Sequence, residues 1–174
     1  LTSYLNYNGL RTGDSDFDYV SIGDVNENGL IDAHDISFAA TRIGDGVHES
    51  ADNKVAGNIT IEADERRYKA GEEVVITISG HGLANVNAFS LALPYNATEY
   101  EYVGIEALNT GCMTNYSKNR MHTNGETVVY PTFVNEGNQD TVNGNAELVK
   151  VTLKAKKNSL KTYPLYTHKK IMKI

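Results

Sequence analysis

Apolar and polar residues alternate, or apolar residues run on, over strand-length segments throughout the chain after residue 58. Valine, isoleucine, threonine and tyrosine are frequent there, and these residues favour strands. Glycine, asparagine and aspartate separate the segments, and no helical period intervenes. The segments are NITIEA (58–63), EVVITISG (73–80), NAFSLALPY (87–95), TEYEYVGIEA (98–107), ETVVYPTFV (126–134) and AELVKVTLKAK (146–156). The pattern predicts a mainly β domain over 58–174, folded as an antiparallel β-sandwich or jelly roll.

Two further signals complete the β domain. The sequence TNGE (123–126) stands before an apolar run, and an Asn-Gly pair is typical of a tight hairpin turn. The basic tail SLKTYPLYTHKKIMKI (159–174) is expected to supply a final strand.

Before residue 58 the spacing of apolar residues is helical instead. Ile36, Ala39, Ala40 and Ile43 fall on one face of a helix, and Gly44 follows as a stop signal. The polar, glycine-rich residues 45–57 are typical of a linker. The sequence therefore predicts three parts: a small helical module over 1–44, a linker over 45–57 and the β domain over 58–174.

The helix follows the segment GDVNENGLIDAHD (23–35), whose oxygen-bearing residues have the spacing of an EF-hand-like calcium loop. Gly29 stands where such a loop turns sharply with a positive φ, and Ile31 is expected to anchor the loop in the core. Asn in place of two possible carboxylates weakens the site, which suits calcium-rich extracellular surroundings. The alternative is a polar turn before the helix, with Asp35 as its N-cap. The predicted ligands are Asp24, Asn26, Asn28, the Leu30 carbonyl, Asp32 through water, and the bidentate Asp35.

Residues 22–44, with GDVNENGLIDAHDI at their centre, resemble the calcium repeat of type I dockerins, which are assembly modules of bacterial polysaccharide-degrading enzymes. The resemblance implies Ca²⁺ on the ligands named above. It also implies that Ala33 and His34, which precede the closing Asp, contribute to partner binding, although this family often has a Ser-Thr pair there.

Dockerins carry two such repeats, and the N-terminus LTSYLNYNGLR aligns with the helix of the second one. Leu1, Tyr4 and Leu5 then form the matching apolar face. We therefore expect residues 1–11 to be the helix of a first repeat whose calcium loop lies upstream of Leu1, and residues 14–18 (DSDFD) to link the repeats. The alternative is a lone amphipathic helix in a variant with one loop.

The order of segments in the β domain resembles a cohesin, or the similar carbohydrate-binding sandwiches, over about residues 58–160. The matching stretches are ITIEADERRYKAGEEVVITIS, NVNAFSLALPYNATEYEYVGIE and GNQDTVNGNAELVKVTLKAKKN. The basic tail departs from the family pattern.

Charge and chemistry narrow the function. The chain of 174 residues has a net charge of −6 and no basic cluster, which argues against nucleic acids and anionic membranes as partners. No apolar run is long enough to span a membrane. No nucleophile, paired-His or phosphate-loop motif is present, and the scattered candidates His81, His122, His168, Glu73 and Glu101 suggest no active site. The single cysteine, Cys112, has no partner for an internal disulfide.

These observations favour a non-catalytic, calcium-binding assembly module that associates with a protein partner or with the adjacent domain of its own chain. By resemblance, the parent protein is a secreted or cell-surface bacterial glycoside hydrolase or a related polysaccharide-active protein. The alternative function is a carbohydrate-binding module that targets the parent enzyme to glycans. Sugar rings could then stack on tyrosines, and the candidates are Tyr95, Tyr100, Tyr102, Tyr116 and Tyr130.

Overall fold

The computed structural model describes residues 6–43, 55–64, 66–136, 140–159 and 172–173. Its helices are α1 (Phe17–Val20) and α2 (Ala33–Ile43), with a 3₁₀ turn at Ser21–Gly23. Its strands are β1 (Ala56–Ala63), β2 (Glu73–Val86), β3 (Ala88–Ser90), β4 (Leu93–Tyr95), β5 (Tyr100–Ala107), β6 (Thr114–Asn115), β7 (Lys118–Met121), β8 (Thr127–Tyr130), β9 (Thr132–Val134), β10 (Val142–Ala155) and β11 (Met172–Lys173). The prediction of a mainly β chain with antiparallel pairing is confirmed.

The chain forms two compact units, each drawn from three separate stretches. The first falls within Leu1–Asn53, Asn87–Pro94 and Cys112–Asp140, and the second within Lys54–Val86, Tyr95–Gly111 and Thr141–Ile174. The first unit therefore combines the predicted N-terminal module with strands from the predicted β domain. The division at 44 and 58 remains a prediction about sequence modules, and it does not coincide with the boundaries of the compact units.

The second unit contains a five-stranded sheet in the order β11-β1-β2-β10-β5. Alternate residues of β2 are buried, as the alternating sequence requires: Val74, Ile76 and Ile78. A register shift between Glu147 and Val149 in β10 lets the consecutive residues Leu148 and Val149 both become buried. The pairing of β11 with β1 confirms that the tail supplies a final strand.

The first unit contains two three-stranded sheets, in the orders β3-β9-β6 and β4-β8-β7, except that Tyr95 at the end of β4 is assigned to the second unit. All residues of β8 and β9 are buried, which explains why ETVVYPTFV is a continuous apolar run rather than an alternating one. Phe89 and Phe133 pair across β3 and β9, with stacked rings 5.3 Å apart. Helix α2 packs against these same two strands.

The predicted hairpin at 123–126 is confirmed. The Gly125 N–H donates to the His122 carbonyl at 2.8 Å, the His122 N–H donates to the Glu126 carbonyl at 2.8 Å, and Gly125 has a φ of +85°. Strands β7 and β8 pair on either side of this turn. The short polar strands β6 and β7 were not predicted, because neither has an apolar period.

The N-terminal segment differs from the predicted helix over 1–11. Asn6 and Tyr7 are helical, but the chain turns at Asn8 and Gly9, where φ is +80°, and Arg11 then pairs with Leu30. Glycine is favoured at such a turn because it adopts a positive φ without steric strain. The apolar residues Leu1, Tyr4 and Leu5 lie outside the described residues. The predicted linker at 14–18 instead contains the start of α1.

Candidate calcium-binding loop

The first half of the loop is wrapped around the carboxylate of Asp24. Its Oδ1 accepts a hydrogen bond from the Asn28 N–H at 3.1 Å, and its Oδ2 accepts one from the Gly29 N–H at 2.8 Å. The side chains of Asn26 and Asn28 each accept a bond from the N–H two residues ahead. Gly29 has the positive φ that the sequence predicted, +82°. These short polar side chains therefore stabilise the tight turns of the loop by accepting bonds from its own backbone.

The second half of the loop leads into α2 through a reciprocal cap. Asp32 Oδ1 accepts from the His34 N–H at 2.8 Å, while Asp35 Oδ2 accepts from the Asp32 N–H at 2.9 Å. Asp35 Oδ1 also accepts from the Val25 N–H at 2.8 Å, which joins the two ends of the loop. This is a capping-box arrangement in which Asp32, rather than Asp35, is the N-cap. Ile31 is fully buried, as predicted.

The acidic side chains of the loop form no ion pair with a basic residue within the described part of the chain. Asp35 is 0% and Asp24 8% exposed, and in the described ranges no Lys, Arg or His forms an ion pair with Asp24, Asp32 or Asp35. Burial raises the pKa of Asp32; the His34 N–H opposes this shift, and the nearby Asp35 carboxylate adds to it. Buried carboxylates require compensation by hydrogen bonds, a cation or a metal ion.

The predicted donors are all oxygen atoms, the type that a hard cation takes. Among the described residues no group of three or more His, Cys, Asp or Glu side chains is arranged to hold a metal ion. The carboxylates of Asp24, Asp32 and Asp35 therefore do not form such a group by themselves, and the predicted set adds the amides of Asn26 and Asn28 and the Leu30 carbonyl. Oxygen donors of these three types are the ones that calcium takes in EF-hand-like loops.

The two predicted partner-contact residues have different surroundings. Ala33 is buried in a cluster with Ile36, Tyr116 and Val134, against which Ala88 packs. His34 is exposed. Ala33 therefore contacts strands of its own chain, in the first unit.

Residues 8–14, hereafter the strap, run alongside the loop. The Gly9 N–H donates to the Ile31 carbonyl at 2.8 Å, the Ile31 N–H donates to the Leu10 carbonyl at 2.9 Å, and the Thr12 N–H donates to the Gly29 carbonyl at 2.9 Å. Leu10, Phe17 and Ile31 form a small apolar cluster beneath this pairing. The strap thus binds the part of the loop that lies between the predicted ligands Asn28 and Asp32.

The beginning of the strap is also bonded to residues of β7, β9 and the segment between β6 and β7. The Asn8 side-chain amide donates to the Tyr116 carbonyl at 2.9 Å and to Thr132 Oγ1 at 3.1 Å. The guanidinium of Arg120 donates to the backbone carbonyl of Asn8 at 2.8 Å and to that of Asn6 at 2.6 Å. These hydrogen bonds therefore hold the backbone carbonyls of Asn6 and Asn8 as well as the Asn8 side chain.

The end of the strap forms hydrogen bonds with the turn between β7 and β8. Asp14 accepts hydrogen bonds from the Thr123 N–H and the Arg11 N–H, each at 3.1 Å, and faces His122. Although burial opposes ionisation, the hydrogen bonds from His122, Thr123 and Arg11 hold the pKa of Asp14 below its ordinary value. Arg11 Nη2 donates to Glu126 Oε2 at 2.5 Å, and this bond lowers the pKa of Glu126.

Little in the sequence predicted the strap. Asn8, Arg11 and Asp14 are ordinary surface residue types, and their partners lie more than a hundred positions away. The one local signal was Gly9, and the helix predicted over 1–11 included this residue.

The other predicted candidates are dispersed. Tyr100, Tyr116 and Tyr130 are buried, whereas Tyr95 and Tyr102 are half-buried. His81 lies 2.9 Å from Thr60 Oγ1, Glu73 and Glu101 are exposed, and His168 lies outside the described residues. Cys112 is an exposed free thiol. Within the described ranges no helix has the length and apolar character needed to cross a membrane.

Known proteins place the β-strand region in a family. The cohesin domain family model matches residues 57–172. Among solved structures, the chain is similar to a cohesin module from a Clostridium perfringens ATCC13124 family 33 glycoside hydrolase, with 20% identity and a TM-score of 0.45 over 61% of this chain and 75% of that chain. No match was found among curated proteins.

The family match covers more than half of the chain and includes β2 to β10 and all of β1 except its first residue. Cohesin domains are non-catalytic modules that mediate protein–protein interactions. The chain belongs to the cohesin domain family.

Proposed function

We propose that this chain is a calcium-binding assembly module in which a dockerin-like loop accompanies the cohesin domain. The module serves association, either with a protein partner or within its own chain. We also propose that its parent is a secreted or cell-surface bacterial glycoside hydrolase or a related polysaccharide-active protein, as the resemblance of residues 22–44 to dockerin repeats implies.

The observation that carries the calcium proposal is the burial of Asp24 and Asp35 in a loop without a paired cation among the described residues. A divalent ion would neutralise these charges, and the amides of Asn26 and Asn28 and the Leu30 carbonyl would complete its oxygen shell. Asp32 would contribute through water. The capping bonds of Asp32 and Asp35 support the proposal, because they position the carboxylates at the start of α2.

The association within the chain is supported by the packing of α2. Ala33 and Ile36, on the first turns of this helix, contact Tyr116 and Val134 in the cohesin-matched region. The exposed His34 lies next to this contact on the same helix and is available to a separate protein. The two predicted partner-contact residues therefore support both kinds of partner.

Calorimetric titration of the whole chain with calcium chloride tests this function. We expect one ion to bind to the wild type, Asp35→Ala to abolish binding and Asn26→Ala to weaken it. Asp18→Asn, an exposed change outside the ligand set, is the matched control and should bind normally. Absence of calcium binding to the folded wild type, shown to be folded by circular dichroism, would overturn the proposal.

Carbohydrate binding remains a second candidate, supported by Tyr95 and Tyr102 in the second unit. Both rings are half-buried. Burial raises the pKa of Tyr102, and the neighbouring Tyr95 adds to the shift. Affinity electrophoresis in polysaccharide gels tests this function: retardation that is lost in Tyr102→Ala supports it, and migration unaffected by any glycan contradicts it.

A further inference from the structure

We propose that the surface formed by Tyr116, Arg120, His122, Thr123, Glu126 and Thr132 is a calcium-gated docking surface whose occupant is the strap of the same chain. The proposal rests on the calcium function proposed above. It goes beyond that function in one respect: calcium binding in the loop determines how firmly the strap holds the β7–β8 hairpin.

The strap touches the loop and the hairpin at once. Its backbone pairs with Gly29 and Ile31, which lie between predicted ligands. Ordering of the ligand oxygens around an ion fixes the backbone of residues 28–32, and with it the carbonyls that receive the Gly9 and Thr12 N–H groups. The backbone of the loop therefore provides the hydrogen-bond partners that hold the strap in its extended conformation.

The other side of the strap depends on accurate geometry. Asn8, Arg11 and Asp14 meet the surface through directional hydrogen bonds, several of them charge-assisted. Such bonds weaken steeply when distances or angles change. A strap that loses its pairing with the loop will consequently lose much of its hold on Arg120, His122 and Glu126.

The strap is costly to order without support. Gly9 and Gly13 have φ values of +80° and +95°, and glycine loses more conformational freedom on folding than any other residue. A Cβ on Gly9 would lie 2.5 Å from Cδ2 of the Tyr130 ring, so the backbone must rest directly against this ring. Calcium reduces this entropic penalty by holding the paired loop in place.

Without the ion, repulsion between acidic side chains of the loop opposes the pairing of the loop with the strap. Asp24, Asp32 and Asp35 carry like charges at short sequence spacing, and two of them are largely buried. Their repulsion favours opening of the loop, which removes the pairing partners of Gly9 and Thr12. The gating thus follows from charges in the loop and from hydrogen bonds in the strap.

Hydrogen exchange of the whole chain, with calcium chloride and with a chelator, tests the proposal. We expect calcium to slow exchange of the His122 and Gly125 amides by about tenfold or more, while the amides of β2 in the second unit change little. Asn8→Ala, which removes two strap bonds, should reduce the response of the hairpin without removing calcium binding. Asn6→Ala, the same change two positions earlier at an exposed side chain, is the matched control.

Glu126→Gln provides a milder variant if Asn8→Ala does not fold, and it should reduce the response in the same direction. Calcium binding in calorimetry with no change in hairpin exchange overturns the gating and leaves the proposed calcium function intact. No calcium binding at all overturns both. An equal response in Asn8→Ala, Glu126→Gln and the wild type shows that the strap does not transmit the effect, and this also overturns the proposal.

Discussion

Nδ1 of His122 lies 2.7 Å from Oδ2 of Asp14, a residue 108 positions earlier in the chain. The two side chains are 1% and 7% exposed. Because an ionised carboxylate only accepts hydrogen bonds, Nδ1 carries the proton, and in the neutral imidazole Nε2 accepts from the Tyr130 hydroxyl at 2.7 Å. This contact fastens the N-terminal segment to the β7–β8 hairpin inside one compact unit.

Asp14→Asn should destabilise the protein by about 2–3 kcal/mol, because the amide keeps the shape but removes a buried charge that accepts from His122, Thr123 and Arg11. Urea unfolding followed by circular dichroism measures the change. Asp18→Asn, an exposed acid on α1, is the control and should stay within about 0.5 kcal/mol of the wild type. Equal stability of the two variants would show that the buried contact contributes nothing.

Acid should weaken the same region. The pKa values of Asp14 and Glu126 are lowered in the folded protein. A lowered folded-state pKa contributes stability that is present above the unfolded-state value, about pH 4, and is lost as the pH falls through the folded-state value. The stability difference between the wild type and Asp14→Asn should therefore shrink below about pH 4. Urea titrations at a series of pH values test this, and a difference that grows on acidification contradicts it.

Two glycines of the strap separate backbone strain from close packing. Both have a positive φ, but a Cβ on Gly13 meets no atom within 4 Å, whereas one on Gly9 meets the Tyr130 ring. Gly13→Ala should cost about 1–2 kcal/mol for its left-handed backbone. Gly9→Ala should cost at least about 2 kcal/mol more, because the ring cannot give way. Thermal unfolding of both variants provides the comparison. Equal losses of stability would show that Gly9 does not pack against the Tyr130 ring.

The sequence predicted what depends on local pattern. Alternation located most of the strands, the Asn-Gly pair located the hairpin, and the spacing of oxygens in the loop predicted the positive φ of Gly29 and the burial of Ile31. The helix predicted over 1–11 was too long, since Gly9 ends the turn early and Arg11 pairs with Leu30. Ligation of calcium remains a prediction.

The sequence contains no comparable signal for contacts between residues that are far apart in the chain. Asn8 with Thr132, Arg11 with Glu126 and Asp14 with His122 are separated by 124, 115 and 108 residues. No periodicity records contacts of this kind, so the sequence suggested a linker at residues 14–18 and a separate small module over 1–44, without showing which strands it contacts. The two compact units follow these contacts rather than the order of the chain.

Removal of calcium should therefore destabilise more than residues 1–44. Ala33 lies between the predicted ligands Asp32 and Asp35, and Ile36 directly follows Asp35. Both residues pack in one cluster with Tyr116 and Val134. Chelation should lower the stability of β6, β7, β8 and β9 together with the loop, because binding to an ordered site adds its free energy to the whole cooperative unit. Limited proteolysis in calcium and in chelator checks this: cleavage confined to residues 1–44 would instead support independent modules.

The central claim is that a calcium loop forms part of the same folded unit as cohesin-matched strands. A crystal structure of the whole chain grown with calcium chloride, with anomalous diffraction used to locate the ion, tests it most directly. We predict a calcium ion held by Asp24, Asn26, Asn28, the Leu30 carbonyl and Asp35, and the Asp14–His122 contact in place. A loop without an ion at saturating calcium, or an N-terminal segment detached from the β7–β8 hairpin, would contradict the account.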